Sequence, residues 1–175
     1  MLFRSSRLVS ILGVPLLIAG LNIFMHMDNL DTFRSNYSHA AVLAFSLGAY
    51  TMAFSAFHVL VVEQKAVWLL YTFPQKLHSV LLRKTIAWIG VGLLYPTIVL
   101  ATAAAVNPAP DPTMIADAVL VLAGIAIYAF IASGLGVLGT DPLEPVQQKM
   151  LRPSYVYLYL MLAAMYVQAI YSPSA

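Results

Sequence analysis

From residue 85 to residue 106 the chain reads TIAWIGVGLLYPTIVLATAAAV, without one charged side chain. A helix of about 20 apolar residues crosses the hydrocarbon of a bilayer, with a working range of about 17–25. Four more segments have that character: residues 8–25, 38–62, 115–138 and 155–171. Their apolar residues run continuously rather than alternating, and the runs are too long for strands. A segment in lipid must satisfy its own backbone hydrogen bonds, so each run is predicted to be a helix. The expected fold class is therefore all-α, a polytopic transmembrane bundle of about five spans forming a single domain over residues 1–175.

Composition excludes the soluble classes. Charged residues make up 9% of the chain and hydrophobic ones 61%, against about 25% charged in an ordinary soluble domain. So few charges cannot cover a water-exposed surface of this size. The absence of cysteine rules out disulfides, Cys-ligated zinc and iron–sulfur clusters. Arg4 and Arg7 precede the first run, as in a signal peptide. That run is longer than the usual 7–15-residue signal core, and no small-x-small site follows it, so it is read as a retained span.

The basic residues orient the chain. The N-terminal tail carries Arg4 and Arg7. The second loop carries Lys65, Lys76, Arg83 and Lys84, and the fourth carries Lys149 and Arg152. Five crossings put these eight on one side and leave Arg34 alone on the other. Lys and Arg are enriched in cytoplasmic loops, which places the N-terminus inside and the C-terminus outside.

Residues 63–84, EQKAVWLLYTFPQKLHSVLLRK, break the apolar pattern with five of the chain's sixteen charges. Pro74 lacks an N–H and ends a helix running out of the second span. Trp68 and Tyr71 suit the interfacial belt. Beyond the proline, Leu77, Val80 and Leu81 share one helical face. Gln75, Lys76, His78, Ser79 and Arg83 occupy the rest. The spacing predicts a short amphipathic helix on the cytoplasmic side, serving either as a docking element or as a basic interfacial loop that fixes topology.

Glu63, the Trp68-Leu69-Leu70 run, Pro74, Leu77, Leu81 and Lys84 resemble the segment between the second and third helices of type-2 ABC exporter permeases. The resemblance implies that residues 63–84 form a coupling helix docking a separate ATP-binding subunit, with Glu63, Lys65, Trp68, Pro74, Lys76, His78, Arg83 and Lys84 as its docking residues. It implies a permease subunit in the bacterial inner membrane, working as a homo- or heterodimer in the lipid bilayer. That family has six spans with both termini inside, whereas five are read here. The chain is thus expected to be one part of a longer permease or a reduced relative. None of its nine glycines is followed by lysine, so it carries no G-x-x-x-x-G-K phosphate loop and ATP belongs to the partner. A small membrane scaffold or assembly protein using the same helix is the alternative function. Neither reading involves nucleic acid.

Other features point to packing rather than chemistry. Ala40, Ala44 and Gly48, with Ala56 beyond, space a small-residue face on the second span that should meet another helix. Pro15 and Pro96 should kink their spans, with Gly90 and Gly92 making the third the most bent. Gly134, Gly136 and Gly139 read as helix-packing or helix-ending positions. The span centres carry no charge, with Asp117 and Glu63 at span ends, so no catalytic set converges and the chain is not read as an enzyme. His26 and His39 lie near one surface, and His58 and His78 near the other. A two-haem carrier needs paired histidines in dry pockets, which this arrangement does not suit. No cofactor is expected.

Overall fold

The computed structural model describes residues 37–58, 77–106, 112–141 and 151–171, with Gly13 and Leu17 as isolated helical positions. The described part is built from four long helices: α1 (Tyr37–Phe54), α2 (Leu77–Val106), α3 (Pro112–Gly139) and α4 (Pro153–Tyr171). A 3₁₀ turn, η1 (Ala56–His58), follows α1. All four are long and apolar enough to cross a membrane, α1 being taken together with η1. The first expected span, residues 8–25, lies outside the described residues except for Gly13 and Leu17.

Contacts between helices fix the register. Going along α1, Ser38 meets Asp117, Phe45 meets Tyr128 and Gly48 meets Ile125, so α1 and α3 run parallel. Gly48 meets Pro96 while Met52 meets Gly92, so α2 runs antiparallel to α1. Tyr128 bonds Leu162 and Tyr166 bonds Leu120, so α4 runs antiparallel to α3. Helices α1 and α3 form the middle of the bundle, and α2 and α4 each pack against both.

α1 is buried on several faces, at Ala40, Ala41, Ala44, Phe45, Leu47, Gly48, Ala49, Thr51 and Met52. An apolar helix without a polar face belongs in the interior. Two buried hydroxyls are satisfied locally: Thr51 Oγ1 donates to the Leu47 carbonyl at 2.8 Å, and Ser55 Oγ, just past the helix, donates to the Thr51 carbonyl. Such back-bonding spares a membrane helix an unmet donor and tends to bend it. The α-helix stops at Phe54, and the chain tightens so that the His58 N–H donates to the Ser55 carbonyl at 3.1 Å. The span read at residues 38–62 thus changes helix type before its end, and residues 59–62 lie outside the described part.

α2 departs more from expectation. The separate amphipathic helix predicted after Pro74 is not a separate element in its described part: residues 77–84 are the first two turns of the 30-residue α2. Nothing in the sequence interrupts it, since Arg83, Lys84 and Thr85 are all compatible with helix. Thr85 Oγ1 donates to the Leu81 carbonyl at 2.9 Å, across the expected boundary. Pro96 lies inside α2, where it removes one backbone bond without ending the helix.

Between α3 and α4 the chain is pinned at its ends. Thr140 and Leu151 form an isolated antiparallel bridge, and the Arg152 N–H donates to the Gly139 carbonyl at 3.0 Å. Among the described residues there is no strand.

Candidate functional site

The expected docking residues divide between described and undescribed parts of the chain. Glu63, Lys65, Trp68, Pro74 and Lys76 lie outside the described residues. His78, Arg83 and Lys84 stand on the first two turns of α2, with His78 and Arg83 exposed and Lys84 half-buried. Val80 and Leu81 are half-buried, and Leu82 is exposed. The register puts this end of α2 on the same side as the start of α4, where Arg152 is exposed and 3.9 Å from Asp141. An exposed pair at that distance contributes about 0–1 kcal/mol. One end of the bundle therefore gathers Arg83, Lys84 and Arg152, while Asp117 lies at the other.

At about 1.5 Å per residue, the 30 residues of α2 span roughly 45 Å, against about 30 Å of hydrocarbon, an excess of about ten residues. The 28 residues of α3 exceed it similarly.

Ala40, Ala44 and Gly48 are buried on α1, as is Ala56 on η1. Gly48 lies where three helices meet: a Cβ built there would stand 2.6 Å from Ile125 Cδ1 of α3 and 3.0 Å from Pro96 Cγ of α2. The late glycines of α3 play three different roles. At Gly136 a Cβ would overlap the Phe57 carbonyl, so η1 rests directly on α3 backbone. At Gly139 a Cβ would stand 3.1 Å from Tyr155 Cδ2, and Gly134 faces open space.

The centre of the bundle is an aromatic group that the sequence reading did not single out. Phe45, Phe57, Tyr128, Tyr159 and Tyr166 stack with centroid separations of 4.7–5.9 Å. Three hydroxyls cross between helices onto backbone carbonyls. Tyr128 donates to Leu162 at 2.6 Å, Tyr159 to Ala49 at 2.9 Å and Tyr166 to Leu120 at 2.9 Å. Tyr166 can lie flat on α3 because Gly124 beneath it has no side chain. A buried tyrosine needs a partner for its hydroxyl, and in lipid a carbonyl of another helix is an available acceptor. The signal was present in Tyr155, Tyr159 and Tyr166, which share a face of α4.

Asp117 is 7% exposed and accepts from Ser38 Oγ at 3.4 Å, near the start of both α1 and α3. Asp117 stands in the second turn of α3, and its bond from Ser38 links the two parallel helices at that end. His39 lies on α1, His58 on η1 and His78 on α2, while His26 lies outside the described residues. Among the described residues no three His, Asp or Glu side chains come together to hold a metal.

No family model, no curated protein and no solved structure matches this chain.

Proposed function

We propose that the chain is the membrane-spanning permease subunit, or part of one, of a type-2 ABC exporter, and that residues 63–84 dock a separate ATP-binding subunit. The observation that carries this reading is that His78, Arg83 and Lys84 stand on the first two turns of one unbroken 30-residue helix, with His78 and Arg83 exposed. A loop that merely fixed topology needs charge, not a continuous helix. The cytoplasmic side, with the N-terminus inside, follows from the eight-to-one division of basic residues. The ATPase is a different polypeptide, and the bacterial inner membrane is its proposed place.

The alternative, a membrane scaffold that moves nothing, gains from one observation. The described core is packed with alanine, aliphatic and aromatic side chains, and three tyrosine hydroxyls in it donate to backbone carbonyls of neighbouring helices. Under the transport reading, the path is formed with a second permease subunit rather than through this bundle.

The test is recovery of the chain from native membranes as wild type and as Lys76→Glu/His78→Glu. Charge reversal on a docking face builds in repulsion. The variant should reach the same level in the membrane and lose an ATP-hydrolysing partner. Equal recovery of the same partners by both chains would leave residues 63–84 as an interfacial loop.

A further inference from the structure

We propose that the open face of α1 is the docking face for the span read at residues 8–25, which completes the bundle from within the same chain. The inference rests on the reading of residues 8–25 as a span, and not on what residues 63–84 bind.

The open face is narrow. From residue 39 to residue 54, every residue of α1 is buried except His39, Leu43, Ser46, Tyr50 and Phe54, with Val42 and Ala53 at their edges. The five recur at intervals of three and four, so they lie along one stripe. α2, α3 and α4 all pack on the remainder of the helix. This stripe differs from the other outward faces. Ile86, Leu94 and Ile98 on α2, like Leu158, Met161 and Met165 on α4, are apolar and suit lipid. Tyr50 instead stands near the middle of the candidate span Tyr37–His58. Its ring rests on Phe54 at 4.5 Å, and its hydroxyl has no acceptor among the described residues. Tyr128, Tyr159 and Tyr166 each place that group on a carbonyl of a neighbouring helix. A hydroxyl left without a partner in hydrocarbon is costly, so a further helix fits this stripe better than lipid does. Ser46, whose own hydroxyl donates to the Val42 carbonyl at 2.7 Å, is small enough to let that helix approach.

The chain itself supplies the occupant. Residues 59–76 carry Glu63, Lys65 and Lys76, and residues 142–150 carry Glu144 and Lys149, so neither segment suits hydrocarbon. Residues 8–25 carry no charge, and residues 26–36 join them to α1. That tether reaches about 36 Å when extended, against about 8–10 Å between the axes of packed helices. It also makes the encounter intramolecular, which favours it over a second copy. The faces match in spacing. Gly13 and Leu17 stand one turn apart; a Cβ at Gly13 would meet nothing within 4 Å, and Leu17 is 66% exposed. Contact therefore falls to the opposite face, which carries Leu8, Ile11, Pro15, Ile18 and Asn22, again at intervals of three and four. Two antiparallel helices with that spacing interlock along a seam.

The chain has no cysteine, so introduced pairs report alone. In the sequence reading, residue 18 lies seven positions before the end of its span and residue 46 lies eight after the start of the next. The two thus stand at similar depth. Ile18→Cys is combined in turn with Leu43→Cys, Ser46→Cys and Tyr50→Cys on α1, and with Ile98→Cys, Met161→Cys and Ile127→Cys. The last three face outward on α2, α4 and α3 at about the depth of Ser46. Native membranes holding the full chain are oxidised, and disulfides are read as altered mobility of the monomer or as a dimer on non-reducing gels. A disulfide requires the two Cα atoms within about 7 Å. The proposal predicts a link within one chain to at least one of the three α1 positions and to none of the other three. A link to 98, 127 or 161, a dimer as the main product of Ser46→Cys alone, or no link at any α1 position would each overturn it.

Discussion

Tyr159 is fully buried, its ring against Phe57 and Tyr128 and its hydroxyl on the Ala49 carbonyl. Interhelical hydrogen bonds in membranes contribute about 0.6 kcal/mol on average and up to about 1.7. Tyr159→Phe should therefore cost about 1 kcal/mol, and Tyr159→Ala about 3–5 kcal/mol, because the ring leaves a cavity. Tyr157, two residues away and 70% exposed, should be replaceable by alanine at little cost. Unfolding titrations in mixed detergent micelles would rank the three, and equal losses at 157 and 159 would contradict the aromatic centre. The glycines give a second contrast. Gly136→Ala drives a methyl into the Phe57 carbonyl, which is backbone and yields little, so a loss of about 1–3 kcal/mol is expected. Gly134→Ala meets open space and should be neutral or stabilising by up to about 1 kcal/mol, since alanine is the better helix former. The same titrations measure both, and a Gly134→Ala loss as large as that at Gly136 would show that contact does not explain the difference.

At the scale of elements, long uncharged runs made four helices legible, because lipid leaves the backbone no alternative to helix. Ala40, Ala44 and Gly48 were legible as a packing face because small residues at that spacing have few other uses in a membrane. The aromatic centre was not, since a tyrosine in an apolar run looks the same whether it faces lipid or a carbonyl on another helix. The junction at Lys84 and Thr85 was misread as an end because charge stops there. Charge marks where a helix leaves the hydrocarbon, not where it stops being a helix. Hydrogen exchange in nanodiscs tests this. Amides from residue 81 through residue 89 should be protected without a gap, since the helix runs unbroken from Leu77 to Val106. Fast exchange confined to residues 83–86 would restore two separate helices.

The described residues form a membrane bundle with Arg83, Lys84 and Arg152 at one end, Arg152 beside Asp141, and with Asp117 and Ser38 at the other. The proposed docking depends on which end of the bundle faces the cytoplasm. A partner can dock on the first turns of α2 only if they lie in the cytoplasm, and the basic residues argue that they do. With no native cysteine, single cysteines can settle it. In intact cells, a membrane-impermeant thiol reagent should label Asp31→Cys and Asn107→Cys. It should reach Arg83→Cys and Arg152→Cys only after the membrane is opened. Labelling of Arg83→Cys from outside intact cells would invert the bundle and end the docking account.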